Sequence, residues 1–230
     1  MKQLYILVLI LCSAVLWGQN WEVINNVNHV YDIEKAGEDI LFSSWGGVVQ
    51  ISGSADLPLS EMEEIRQIST GDGLASNDIR SLAMIDVSET LWMGTSSNGI
   101  NILSDMGLQN IGMELGFPTL MINKMIEVDS RILVASSVGL LEYYYLSGLN
   151  FPLLLHHYDS QNTGGALPSG NISDMMISDN DYLYLSYSGG ISYAHIDSLG
   201  VSSAWHDLRS LGTIPSAGRY PLSKNSQKLA

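Results

Sequence analysis

The residues of this chain that could do chemistry are few and scattered. Five histidines (His29, His156, His157, His195 and His206), one cysteine (Cys12) and 24 Asp and Glu stand against 10 Lys and Arg, giving a net charge of −14. A nucleophilic serine needs a histidine, a carboxylate and a strained frame such as Gly-x-Ser-x-Gly. Ser169 stands in Pro168-Ser169-Gly170, which lacks that frame and reads as a turn. Zinc favours His-x3-His or cysteine ligands, whereas His156 and His157 are adjacent and point to opposite faces of any strand that holds them. Ser178-Asp179-Asn180-Asp181 falls short of the Asp-x-Asp-x-Asp-Gly frame of a calcium loop and reads as turn chemistry between two strands. Glu61, Glu63 and Glu64 gather ahead of a strand as a solvated face, not as a catalytic carboxylate pair. These residues assign no catalytic group, no metal site and no cofactor, and the ligand-binding residues stay unknown. The ten scattered cations also exclude nucleic acid as a partner, since phosphate binding requires them clustered.

The elements that would position these residues are repeats. Four segments share one plan: an Asn-led apolar strand, a second strand with alternating large and small residues, a glycine turn and a third strand. The leading residues are Asn28, Asn77, Asn123 and Asn171, each read as bonding to its nearby backbone. The hairpin glycines are Gly47, Gly99, Gly139 and Gly190, spaced by 52, 40 and 51 residues. A fourth, outer strand follows a variable loop in each unit, within 65–69, 109–113, 153–158 and 204–208. Loops of kindred sequence then cross to the next unit: Gly73-Leu74-Ala75-Ser76, Gly116-Phe117-Pro118-Thr119 and Ala166-Leu167-Pro168-Ser169. A period of 40–50 residues carrying four short strands predicts an all-β partial propeller of about four four-stranded blades, an open arc rather than a closed ring. In that frame Trp45 and Trp92 belong to second strands and pack between blades. Tyr143, Tyr144 and Tyr145 end a third strand as a half-exposed platform on which a carbohydrate could stack. Asp86 to Trp92 is one residue too long, and lacks the glycine, for the Asp-box of sialidase-type propellers.

Residues 70–103 resemble the two-component-regulator propeller repeat, through Asp72-Gly73-Leu74, Ser76-Asn77, Ile79, Leu91-Trp92, Gly94-Thr95 and Gly99. The second unit carries the resemblance most fully, the fourth less so, and the first and third least. The order of elements is also similar, more weakly, to the propeller of a type IX secretion accessory protein. The resemblance implies an exported propeller of the Bacteroidetes kind, found in extracellular sensor regions and in secreted proteins.

The ends carry their own expectations. Residues 1–18 read as a signal peptide, with Lys2 ahead of a short apolar core and Gly18 at the cleavage position. Leu11 before Cys12 argues against lipidation, and removal of the leader leaves no cysteine for a disulfide. Residues 19–222 hold the blades, with inner strands starting near 28, 77, 123 and 171, and residues 20–24 have the pattern of an outer strand. Residues 212–218 read as one more crossing loop, and residues 223–230 as the polar tail of a truncated fifth blade. No segment after the leader is long and apolar enough to span a membrane. The functional expectation is a non-enzymatic, exported, periplasmic or surface module for ligand sensing or protein interaction, a fragment of a longer regulator-type propeller protein. Its partner would be a small molecule, a glycan or a protein, with self-association through open blade edges. The alternatives are a type IX assembly factor and a polysaccharide lyase or hydrolase.

Overall fold

A computed structural model describes residues 27–208, apart from 53–62, 120, 147, 149–150 and 168–169. The predicted leader, the 20–24 segment, Cys12, Glu61, Ser169 and the tail from 209 onward lie outside the described residues.

Among the described residues, sixteen strands form four separate four-stranded antiparallel sheets in simple up-and-down order. Blade 1 comprises β1 (Val30–Ala36), β2 (Asp39–Ser44), β3 (Gly47–Ser52) and β4 (Glu63–Ile68). Blade 2 comprises β5 (Ile79–Ile85), β6 (Thr90–Thr95), β7 (Ile100–Ser104) and β8 (Gly107–Ile111). Blade 3 comprises β9 (Ile122–Val128), β10 (Arg131–Ser136), β11 (Gly139–Leu146) and β12 (Phe151–Tyr158). Blade 4 comprises β13 (Ile172–Ile177), β14 (Tyr182–Tyr187), β15 (Gly190–His195) and β16 (His206–Asp207). Glu63 and Glu64 therefore lie within β4 itself, not in a loop ahead of it.

The blades stack face to face, and the second strands of blades 2 and 3, β6 and β10, bury both sets of their alternating side chains. Leu41 and Val48 of blade 1 meet Leu82, Leu91 and Met93 of blade 2. The opposite face of blade 2, with Trp92 and Ile102, meets Ile132, Val134, Leu141 and Tyr143 of blade 3. Leu133, Ala135 and Leu140 then meet Leu183, Leu185 and Ala194 of blade 4. These three clusters join successive blades, and none joins blade 4 to blade 1 among the described residues, so the arrangement is an open arc.

The large–small alternation has the steric consequence read from the sequence. A Cβ on Gly94 would stand 2.5 Å from Ile122 Cγ2, so only glycine lets the inner strand of blade 3 approach β6 this closely. The crossing loops turn on single 3-10 turns over Thr70–Asp72 and Met113–Leu115. Each is ended by a glycine at positive φ, Gly73 or Gly116, and each sends the next residue, Leu74 or Phe117, into the core.

Three expectations are corrected. The fourth hairpin takes its positive φ one residue earlier, at Gly189 and not at Gly190, which pairs with Tyr187 as the first residue of β15. Trp45 is not a packing residue: β2 ends at Ser44, whose Oγ accepts from Gly46 N at 3.0 Å and turns the chain, leaving Trp45 51% exposed at the turn. The tyrosine platform does not form, because Tyr143 and Tyr145 alternate inward onto Trp92 and only Tyr144 faces solvent.

Candidate functional site at the inner-strand rim

One irregularity recurs at the same place in all four inner strands. Between Val30 and Asp32, Ile79 and Ser81, Ile122 and Lys124, and Ile172 and Asp174, the register against the second strand slips by one residue. These are β-bulges, which leave one residue unpaired and re-aim side chains. Two sets of equivalent positions result. The bulged residues are Tyr31, Arg80, Asn123 and Ser173, and those immediately after are Asp32, Ser81, Lys124 and Asp174.

The second set builds a buried polar layer that crosses three blades. Lys124 Nζ lies 2.5 Å from Asp32 Oδ1, and both side chains are almost entirely removed from solvent. Asp32 Oδ2 accepts from Ser81 Oγ at 2.9 Å and from the Leu82 backbone N–H at 3.0 Å. Ser81 Oγ in turn accepts from Met125 N–H at 2.9 Å. A proton-donor chain therefore runs from the backbone of blade 3 through the hydroxyl of blade 2 to the carboxylate of blade 1, and the blade 3 ammonium closes it. A charge this buried is held only if it is paired and its lone pairs are occupied, and here both conditions are met. Asp174, the fourth member, holds the Met175 backbone N–H at 2.8 Å.

The first set faces the rim on which the inner strands begin. The Arg80 guanidinium lies 4.2 Å from the centre of the Tyr31 ring and bonds Asp78 through Nη2 at 2.9 Å. Burial, with Asp78 nearby, raises the Tyr31 phenol above its ordinary pKa against the opposing pull of Arg80. Beside Tyr31, His29 and Trp45 stack with centroids 5.0 Å apart and planes 15° apart. Four side chains from two blades thus present an aromatic and cationic surface to solvent. Such a surface can stack planar or CH-rich groups and attract π-electrons or anions. Asn123 does not bond its own nearby backbone as the sequence suggested. Its Nδ2 reaches across to Ile172 O at 2.7 Å and Asn171 Oδ1 at 2.8 Å, because the bulge aims it at the next blade. Asn77 does act locally, accepting from Thr70 N–H at 2.7 Å.

A second buried cluster lies between blades 3 and 4. Glu142 accepts from Arg131 at 2.6 Å and from Tyr158 Oη at 2.6 Å, and His156 Nδ1 is 3.0 Å away. Burial alone would push the Glu142 carboxyl up, but the hydrogen bonds from Tyr158, Arg131 and His156 outweigh it and hold the group below its ordinary value. Burial and the Glu142 contact raise the Tyr158 phenol. His157 points away from His156 and meets Val138 O at 2.7 Å, so the two rings share no ligand. Ser178 closes the β13–β14 hairpin through bonds to Tyr182 and Asp181, which is the turn chemistry anticipated.

No family model matches the chain, and no curated protein matches it. Solved structures do. The extracellular domain of the hybrid two-component system BT3049 from B. thetaiotaomicron superposes with a TM-score of 0.62 at 21% identity, over 85% of this chain and 25% of that one. PorZ, a surface component of the type-IX secretion system of Porphyromonas gingivalis, gives 0.54 at 17% identity, over 82% of this chain and 23% of its own. The extracellular domain of BT4673 from B. thetaiotaomicron gives 0.52 at 16%, over 79% and 23%. The fold is shared with these extracellular domains and with PorZ. This chain spans about a quarter of the length of these neighbours.

Proposed function

We propose that this chain is an exported, non-enzymatic propeller module that binds a ligand or protein partner at the inner-strand rim. One observation carries the reading: the His29–Trp45 stack and the Arg80-capped Tyr31 face solvent while standing on the buried Asp32–Ser81–Lys124 layer. Tyr31 and Arg80 are held on inner strands, and His29 and Trp45 are held by stacking on each other, so the group loses little entropy on binding, which is the requirement for recognition. The charged groups beneath them are spent on one another, which favours a scaffold over a reaction centre. The extracellular domains among the structural neighbours support the exported setting.

The test is tryptophan-emission titration of the chain, with and without Trp45→Ala, against a panel of neutral and acidic oligosaccharides and short peptides. Saturable quenching lost on Trp45→Ala supports the site. Binding that ignores Trp45 places recognition elsewhere and refutes it. A second reading, a component of a secretion or surface-assembly machinery, is supported by the likeness to PorZ. It predicts a protein partner retained by the chain on the cell surface and no response to small ligands.

A further inference from the structure

The four blades end in unlike outer strands. Among the described residues β16 has two residues and β8 five, and β4 carries Glu63, Glu64 and Arg66. β12 runs for eight residues, Phe151–Tyr158, without one Asp, Glu, Lys or Arg. Short or charged outer strands discourage a further strand from pairing with them, and β12 keeps only Pro152, which lacks an N–H, as such a device. It pairs with β11 on one side and forms the edge of its sheet on the other. Phe151, Leu153, Leu154 and Leu155 are 38%, 43%, 40% and 39% exposed. Leu153 lies opposite Tyr144 on one face of the sheet and Leu154 opposite Tyr143 on the other, so both faces of this edge are apolar. Further along the edge is closed, because Asn162 Nδ2 donates to His157 O at 2.6 Å. Among the described residues no hydrogen bond reaches the outward backbone edge of 151–155.

A row of outward N–H and C=O groups is matched by another extended strand. Every paired strand among the described residues is antiparallel to its neighbour. β12 begins at the end of blade 3 that holds the β9–β10 turn, since Leu153 is in register with Tyr144, and Tyr144 with Arg131. An antiparallel strand laid on β12 therefore finishes over that end. There Glu127, Asp129, Asp181 and Asp197 line a cleft of about 400 Å³ between blades 3 and 4. Arg131 stands 3.8 Å from Asp129 but is held at 2.6 Å by Glu142, and His195 stands 3.7 Å from Asp197. Negative charge is in excess at the cleft, in a chain whose net charge is −14. Asp129 adjoins β10, two strand spacings or about 10 Å from β12, a gap that about three extended residues span.

We propose that β12 accepts an added strand from a partner protein. The partner segment is extended, apolar where it pairs with 151–155, and carries Lys or Arg at its C-terminal end, over the acidic cleft. A second copy of this chain fits less well. Laid antiparallel on β12, it would turn its own Asp159, the residue after β12, toward the same carboxylates and bring a second net charge of −14.

The experiment is fluorescence anisotropy on the full chain with two labelled peptides. One has alternating threonine and valine followed by Lys-Arg-Lys, and the other has the same residues with Lys-Arg-Lys in front. The first binds saturably and the second at least about tenfold more weakly, a difference that shrinks as salt is raised. Leu153→Lys/Leu155→Lys weakens the first peptide at least about tenfold, with circular dichroism showing that the strands are kept. Asp129→Asn/Asp197→Asn changes two exposed side chains, and asparagine tolerates the φ of 49° at position 129, so this variant folds and binds both peptides alike. The proposal is overturned if the first peptide does not bind saturably, if the wild-type chain binds both peptides alike, if the leucine variant binds as the wild type does, or if the preference survives loss of the two carboxylates. Light scattering in the same buffer tests the other occupant: a wild-type dimer that the leucine variant dissolves puts a second copy on β12 and overturns the proposal as well.

Discussion

Replacing Lys124 by methionine tests whether the buried polar layer holds the arc together. The substitution keeps the length of the side chain and deletes the ammonium 2.5 Å from Asp32 Oδ1. Removing one partner of a buried pair costs about 3–5 kcal/mol, because the other charge stays buried and uncompensated. Asp32 keeps its donors from Ser81 and Leu82, so the cost belongs at the lower end, about 3 kcal/mol. With a urea slope of about 1–3 kcal/mol/M, the unfolding midpoint falls by about 1 M or more. Asp32→Asn should cost a similar amount, since its amide would turn a donor toward the ammonium. The double variant Asp32→Asn/Lys124→Met removes both charges and should be no less stable than either single variant, a coupling of about 2 kcal/mol or more. The assay is equilibrium urea unfolding followed by tryptophan emission from the buried Trp92. A Lys124→Met midpoint within about 0.3 M of wild type, or a double variant as weak as the sum of the singles, would refute the argument that this layer ties three blades into one unit.

Four further outcomes follow from the packing. Gly94→Ala forces Ile122 away from a 2.5 Å contact and should destabilise by about 1–3 kcal/mol in the same unfolding assay. Trp92→Ala should cost about 3–5 kcal/mol, while Trp45→Ala, at an exposed turn, should leave the midpoint within about 0.5 kcal/mol of wild type. Tyr143→Phe deletes a buried hydroxyl that has no hydrogen-bond partner, so thermal melts should show it neutral or slightly more stable. Glu142 has a folded pKa below its unfolded value, so it stabilises above the unfolded value, and that contribution fades as pH falls through the lowered one. Tyr158 has a raised folded pKa, so its contribution is complete below the ordinary phenol value and is lost as pH climbs past it. Melts of Glu142→Gln across pH should show a flatter acid limb than wild type.

The sequence made the architecture legible because the repeat tests itself four times. A glycine turn, an alternating second strand and a crossing loop, recurring at the same offsets, leave little freedom for another fold. Trp45 was misjudged because the strand pattern runs on through Ser43 and Ser44, and nothing in residue type marks that Ser44 would cap the turn. The tyrosine triplet was misread for a similar reason, since β11 extends eight residues and carries Tyr143 and Tyr145 under Trp92. The ionic layer was missed although a signal existed. Asp32, Ser81, Lys124 and Asp174 each stand two residues after the first apolar residue of an inner strand, a polar position repeated inside otherwise apolar segments. Glu142 had no such signal, because only the fold brings Arg131, His156 and Tyr158 around it.

The division of labour between the two sets of bulge positions explains why fold and function part company here. The positions after the bulge share one physical task, to satisfy a buried polar layer, and their residues answer one another across blades: a carboxylate, a hydroxyl, an ammonium. The bulged positions have no common task. Tyr31, Arg80, Asn123 and Ser173 differ in size, charge and hydrogen-bonding capacity, and each makes different contacts: Arg80 covers Tyr31, while Asn123 bonds the next blade. The aromatic and cationic members fall together on blades 1 and 2, and Asn123 ties the rim of blades 3 and 4 by hydrogen bonds instead. The two halves of the rim are thus chemically distinct, one aromatic and cationic and open to solvent, the other closed on itself. Exchanging Arg80 and Asn123 should move the cation from one half to the other and cost about 1–3 kcal/mol, for the two cross-blade hydrogen bonds that Asn123 gives up. If that exchange unfolds the chain instead, the bulged residues are structural, and the rim is not the place to look for a ligand.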